Sequence, residues 1–158
     1  MSERGGLQRE KDELLIRELS GLTGVELEYS DDRICDLVVD GRIVVLRYRP
    51  DDGDWLYFGV VSESDDELPK DILAKALELN LFGTETSGFH LGLFGNALVL
   101  SGSASMDGLT AEDFADRLLS LSRQIGKLAG KLEMTDGTES VPSSGGLSSP
   151  WDSGFMQV

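Results

Sequence analysis

The dipeptide Asp40-Gly41 places the strongest constraint on this chain, because it joins two runs of strand-forming residues. A type I′ hairpin turn needs positive φ at both central positions, and Asp-Gly is a preferred pair for it. Ile34–Val39 and Arg42–Arg49 are therefore predicted to form an antiparallel hairpin. Similar runs at residues 25–29 and 55–61 are separated from this hairpin by turn-forming residues. Together the four runs predict an antiparallel meander.

Helical patterns stand on both sides of the meander. Residues 8–20 carry Leu and Ile at three- and four-residue spacing, and Gly21 or Gly24 is expected to end this helix. A second helix is predicted to begin at Pro69, because proline is favourable at the first helical position, and to end at Gly83.

Two further strands and a third helix complete the pattern. The strands are predicted at residues 89–94 and 97–103, and Gly95-Asn96 joins them. The third helix is predicted from Thr110, whose hydroxyl can cap the N–H of Asp113, to about residue 132. The order is helix, antiparallel meander, helix, two strands, helix, which defines an α+β fold.

Charge and composition exclude several functions. The chain has 158 residues, with 14 Lys plus Arg against 29 Asp plus Glu and a net charge of −15, which argues against nucleic acid and anionic membranes as partners. No apolar run approaches the roughly 20 residues of a membrane span, and no signal peptide is apparent. Cys35 is the only cysteine, which fits a reducing compartment. We therefore expect a soluble, cytoplasmic protein without membrane insertion.

Composition also divides the chain near residue 132. Residues 1–132 are predicted to form one domain, and residues 133–158 a flexible, acidic tail rich in Ser, Gly and Pro. The tail carries four acidic and no basic residues. One interpretation is that the tail is disordered and has no specific role. Another is that Trp151 and Phe155 dock in an apolar groove until a partner displaces them.

No catalytic or metal-binding motif is evident. His90 is the only histidine and alternates with apolar residues, which is more typical of a strand histidine than of a catalytic base. The acidic clusters at residues 51–54 and 64–67 lack the ligand spacing of a calcium loop. Neither a dinucleotide fingerprint nor a phosphate-binding loop occurs. We expect no enzymatic activity, no metal and no cofactor.

Apolar residues exceed what one face of each element can bury. In residues 72–81 they spread around most of the helix, and residues 43–46 and 56–61 are apolar on both faces of their strands. Either this surface meets a partner, or these strands are ordinary core strands.

The order of elements, together with four stretches, resembles the Tir chaperone (CesT) family of class I type III secretion chaperones. The most specific stretch is the leucine-rich helix that ends in Asn80-Leu81-Phe82. The four stretches are residues 33–40, 57–60, 72–82 and 109–114. The resemblance implies a homodimer that binds the N-terminal region of a secreted effector as an extended segment and keeps it competent for export through the injectisome. The secretion ATPase is an additional candidate partner.

The resemblance also assigns residues. The dimer interface is expected at Leu73, Leu77, Leu81, Phe82, Phe89, Leu91 and Leu93. Effector contacts are expected at Leu15, Leu19, Leu37, Val39, Val44, Leu46 and Tyr48, with a place in the intramolecular core as the alternative for each. Two rival functions remain open: a non-secretory regulatory module that binds a folded partner, and an enzyme that uses His90 with a carboxylate.

Overall fold

The structure, a computed structural model, describes residues 2–83, 86–133 and 155–157. In chain order the elements are α1 (Ser2–Thr23), β1 (Ile34–Val39), β2 (Arg42–Arg49), β3 (Asp54–Glu63), α2 (Lys70–Asn80), β4 (His90–Phe94), β5 (Ala97–Ser105), α3 (Ala111–Glu133) and β6 (Phe155–Gln157). A 3₁₀ turn, Leu81–Gly83, follows α2. The predicted α+β order is confirmed.

The strands form one antiparallel sheet in the order β4-β5-β3-β2-β1-β6. Asp40 and Gly41 have φ angles of 51° and 80°, as a type I′ turn requires, and the predicted hairpin is confirmed. β3 pairs with β5, so the hairpin of β4 and β5 extends the meander into a single sheet.

The predicted strand at residues 25–29 is wrong. These residues form no ladder with the sheet, and they bond to α1 instead. The Ser20 hydroxyl donates to the Val25 carbonyl and accepts from the Leu27 N–H at 2.9 Å. Local bonding by a serine side chain thus replaces the strand ladder.

The helix ends follow their capping residues. Gly24, with φ of 73°, ends α1, which extends further at both ends than the predicted 8–20. Pro69 is the residue before α2 rather than its first residue. The N–H of Asp113 donates to the Thr110 hydroxyl at 3.1 Å, and the predicted cap of α3 is confirmed.

The core lies between α3 and one side of the sheet. Trp55 is at its centre, with ring centroids 5.2 Å from Tyr48, 5.3 Å from Phe114 and 6.0 Å from Tyr29. The α3 side chains that face the sheet are fully or almost fully buried; they include Leu118, Leu121, Ile125 and Leu128. α1 packs on α3 with Leu15, Ile16 and Leu19 buried.

Candidate functional site

The two faces of the sheet differ in their burial. Side chains on the face that packs against α3, the inner face, are buried at alternate positions along β1, β2, β3 and β5. The positions between them form the outer face, and none of these is buried. Ile43 is 56% exposed and Val60 is 46% exposed. The apolar residues of the outer face include Ile34, Val38, Ile43, Val45, Leu56, Phe58, Val60, Ala97 and Val99.

These outer-face residues lie beside one another across the strands. Val38 is opposite Ile43, Val45 is opposite Phe58, and Val60 is opposite Val99. Directly opposed side chains in a sheet are in contact range, so the pairs form one continuous apolar strip across four strands. Such a strip is typical of a surface that binds a partner.

The structure places the predicted effector contacts in the core. Leu15, Leu19, Leu37, Val39, Val44, Leu46 and Tyr48 are each at most 2% exposed. The strand residues point to the inner face, where α3 covers them, and the two α1 residues pack into the same core, which was the alternative for each. The meander residues that a partner can reach are those of the outer face.

A second apolar patch lies where α2 approaches β4. Leu77 is 73% exposed, and Leu81 and Leu93 are also exposed. Phe94, the next residue along β4, is 81% exposed but lies on the outer face, because it is paired with Ala97 of that face. Asn80 joins the two elements, because its side chain accepts from the Leu91 N–H at 3.0 Å and donates to the Leu91 carbonyl at 3.3 Å. We call Leu77, Leu81 and Leu93 the helix patch.

The predicted dimer residues divide between this patch and the interior. Leu77, Leu81 and Leu93 belong to the helix patch, while Leu73 and Leu91 are partly buried. Phe89 is buried, with its ring in an edge contact with Tyr57 at 6.3 Å. The side chain of Phe82 lies outside the described part of the structure. Phe94 was missed, although its position beside the Gly95 turn signals an exposed site.

The edge of β1 is the third surface. The Ile34 carbonyl accepts from the Ser30 N–H at 3.0 Å, and the Ile34 N–H donates to the Ser30 hydroxyl at 3.1 Å. At the other end of the same edge, β6 pairs with residues 37–39. An edge strand with free backbone groups is a site for strand addition, and here both ends of the edge have a partner.

Side chains that could support catalysis lie far apart. His90 is exposed on β4, and the Ser101 hydroxyl opposite it donates to the His90 carbonyl at 3.4 Å. Cys35 is on β1, four strands away, a distance of about 19 Å at the usual strand spacing. Burial raises the pKa of the Cys35 thiol to about 12, with a smaller contribution from Asp36, which disfavours the reactive thiolate.

Metal ligation finds no support within the described residues. No group of three or more His, Cys, Asp or Glu side chains is placed there to hold an ion. In the acidic cluster at residues 51–54, Asp54 binds Arg49 through two hydrogen bonds of 2.7 and 2.8 Å. Across the described ranges, no helix has both the length and the hydropathy of a membrane span.

A buried acid beneath α1 was not predicted. Asp12 is fully buried and accepts a short hydrogen bond from the Tyr29 hydroxyl. Burial, followed by this bond, raises the pKa of Tyr29. Asp12 lies within a run of charged residues, so the sequence alone does not distinguish it from exposed neighbours. The pair links α1 to the segment at residues 25–29 that joins it to the sheet.

The fold resembles several solved chaperone complexes. A chain of the ExsC-ExsE complex matches with a TM-score of 0.67 and 20% identity, over 80% of this chain and 96% of that chain. A chain of the HopA1-SchA chaperone-effector complex matches with a TM-score of 0.59 and 18% identity, over 75% and 92%. The Yersinia pestis type III secretion chaperone SycH, in complex with a fragment of YscM2, gives 0.57 and 18%, over 73% and 97%.

Sequence comparison gives two further results. No curated protein sequence matches the chain significantly. The family model of the Tir chaperone protein (CesT) family matches residues 14–128, which include every strand from β1 to β5, the C-terminal part of α1 and most of α3. The chain therefore belongs to the Tir chaperone (CesT) family.

Proposed function

We propose that this protein is a type III secretion chaperone. It binds the N-terminal chaperone-binding region of an effector as an extended segment, keeps that region soluble and secretion-competent, and assists its delivery to the injectisome. Family membership and the fold shared with solved chaperone complexes support this proposal. The protein acts in the bacterial cytoplasm by binding alone, without a catalytic step.

The outer face carries this proposal. Its apolar strip crosses four strands and has no helix of the described structure packed on it, so the sheet offers a long, narrow apolar surface. An extended segment presents alternate side chains to one side, and such a segment can fill a strip of this shape. A bound effector segment would cover the surface that otherwise exposes Ile43 and Val60.

The helix patch supports a homodimer. Leucine side chains as exposed as Leu77 and Leu81 are typical of an interface rather than of a monomer surface. A two-fold dimer brings the same patch of two copies together, so one apolar patch is sufficient for the contact. The expected interface is centred on Leu77, Leu81 and Leu93.

Net charge is consistent with this role. The −15 charge of the chain disfavours aggregation of the protein through its exposed apolar strip. Since an unfolded effector segment is itself prone to aggregate, a charged carrier keeps the complex dispersed.

Co-purification tests the proposal. The full chain is co-expressed with N-terminal fragments of candidate effectors from the same genome, and C-terminal fragments of the same effectors are the matched control. We expect a complex of two chaperone chains per N-terminal fragment by light scattering, with a protease-resistant stretch within that fragment. A monomeric chaperone with no protected fragment would contradict the proposal. Protection of an entire folded partner would instead support a non-secretory binding module.

A further inference from the structure

Residues 155–157 return to the sheet and extend it by one strand. In β6, Phe155, Met156 and Gln157 are paired antiparallel with Val39, Val38 and Leu37 of β1. This strand belongs to the stretch that composition predicts to be a tail. Residues 134–154, including Trp151, lie outside the described part of the structure, so the predicted docking of Trp151 remains a prediction.

The hydrogen-bonding pattern shows which groups of β1 face this strand. The Tyr48 N–H donates to the Arg33 carbonyl at 3.0 Å, and these residues are therefore a hydrogen-bonded pair of the β1–β2 ladder. Since such pairs alternate along an antiparallel ladder, the backbone groups of Val38 point away from β2 and toward β6. Val38 and Met156 are consequently the hydrogen-bonded pair of the β1–β6 ladder.

The length of β1 edge that remains for an added strand is short. Ser30 already satisfies both backbone groups of Ile34, as described above. Beyond it, β6 occupies positions 37–39. Any other strand that pairs along the outer edge of β1 must therefore first displace β6.

We infer that residues 155–157 are an internal competitor for the β1 edge, occupying the place where an effector strand would add to the sheet. This inference rests on the proposed function, because it assumes an extended ligand. The β1 edge adjoins the outer face at Val38 and Ile43, so a segment lying on the apolar strip can continue into strand pairing at this edge. Release of β6 would accompany effector binding.

β6 and β1 belong to the same chain, so β6 competes for the edge within one molecule. Intramolecular binding of this kind gives effective concentrations of about 1 mM. A strand of only three residues held in this way is displaced by a ligand with a longer strand, whereas weak and nonspecific segments are excluded.

Proline substitution in the full chain tests the occupancy of the edge. Met156→Pro removes the N–H that bonds Val38, and Ser144→Pro, in the connection, is the matched control. We expect the amide of Val38 to exchange with deuterium about tenfold faster in Met156→Pro than in the unmodified chain or the control. Equal exchange in all three proteins would overturn the inference.

A peptide with the sequence of residues 151–158 tests the competition directly. We expect this fluorescently labelled peptide to bind the Met156→Pro chain with a Kd about tenfold lower than that of the unmodified chain, because the edge is vacant. A second variant, Val38→Cys with Met156→Cys, locks β6 in place through a disulfide between directly opposed residues. It should not bind the peptide when oxidised and should regain binding on reduction. Equal peptide binding by all these proteins would also overturn the inference.

Neither the amide-exchange measurement nor the peptide-binding measurement uses an effector. If no effector fragment co-purifies but the exchange and peptide results hold, the proposed function fails and the edge occupancy stands. If an effector fragment binds equally well to the unmodified chain and to the oxidised double-cysteine chain, the proposed function stands and the competition fails.

Discussion

The inner and outer faces of this sheet are made of similar apolar residues, but only the inner face is buried. On the inner face, Leu46, Trp55 and Tyr57 are almost completely buried under α3. On the outer face, Ile43 and Val60 remain about half exposed, although the next residue in each strand is buried. Composition therefore does not decide which face is the core. The helix that packs on one face decides it.

This difference has a specific structural origin. Gly59 and Gly102 lie on the inner face and have no side chain, which allows close approach of Ile125 from α3 in one case and of the Tyr57 and Phe89 rings in the other. On the outer face, Gly92 has nothing within 4 Å of a Cβ position. A closely packed surface holds the domain together, and a looser apolar surface is left for a ligand.

Removal of a large side chain from each face gives the largest expected contrast. Leu46→Ala leaves a cavity beneath α3 and should lower the free energy of unfolding by about 3 kcal/mol. Ile43→Ala, on the outer face, should change it by about 0.5 kcal/mol or less. Urea unfolding of both variants measures this contrast. Equal losses would mean that the two faces are packed alike.

Adding a methyl group at a glycine tests the same comparison of the two faces. A Cβ at Gly102 would lie 2.8 Å from the Tyr57 ring and 2.9 Å from the Phe89 ring, so Gly102→Ala should cost about 2 kcal/mol in stability. Gly92, on the neighbouring strand β4, has nothing within 4 Å of a Cβ position. Gly92→Ala should leave stability unchanged or slightly raised. Thermal unfolding distinguishes the two, and an unaffected Gly102→Ala would contradict the close packing.

A charge in the helix patch tests whether that exposed surface is an interface. Leu77→Asp should weaken the proposed homodimer by at least about tenfold, because it buries a carboxylate at the contact. Leu14→Asp places the same charge on a half-exposed leucine of α1 and should leave the dimer intact. Sedimentation equilibrium of the two variants measures the effect. Dimers of equal strength would place the interface elsewhere.

Alkaline pH tests the buried pair of Tyr29 and Asp12, which lies on the core side of the molecule. The pKa of Tyr29 is raised above its usual value of 10.0 by burial and by Asp12, so the folded protein holds the phenol proton more tightly than the unfolded chain. Stability from this pair is fully present below pH 10 and declines above it, by up to about 1.4 kcal/mol per pH unit. Tyr29→Phe should therefore lose less stability between pH 10 and 11 than the unmodified chain. Parallel pH profiles would contradict this.

The sequence predicts the fold well because the signals that determine it are local. Asp40-Gly41 fixes the first hairpin, Thr110 fixes the start of α3, and Gly24 ends α1. The failure at residues 25–29 has a local cause as well, since one side chain, Ser20, bonds the backbone of that segment. The strand propensity of residues 25–29 does not reveal such a side-chain contact.

The site was harder to predict because it depends on which face of the strand α3 covers. Residues 43–46 are apolar at every position, so a shift of one residue exchanges core and surface without any change in pattern. The predicted effector contacts therefore fell on Val44 and Leu46, while their neighbours Ile43 and Val45 form the accessible face. In α2 and the turn that follows it, apolar residues lie around most of the helix. The predicted dimer residues there include Leu77 and Leu81, which are exposed.

The outer face as the effector-binding surface is the central claim, and calorimetric titration of an effector fragment tests it most directly. The N-terminal fragment that co-purifies is titrated into the unmodified chain, Ile43→Arg and Leu14→Arg. Leu14 is a half-exposed leucine of α1 that lies outside the strip. We predict that Ile43→Arg weakens binding by at least about tenfold and that Leu14→Arg leaves it within about twofold. Equal affinity for the unmodified chain and Ile43→Arg, with both variants folded, would contradict the claim.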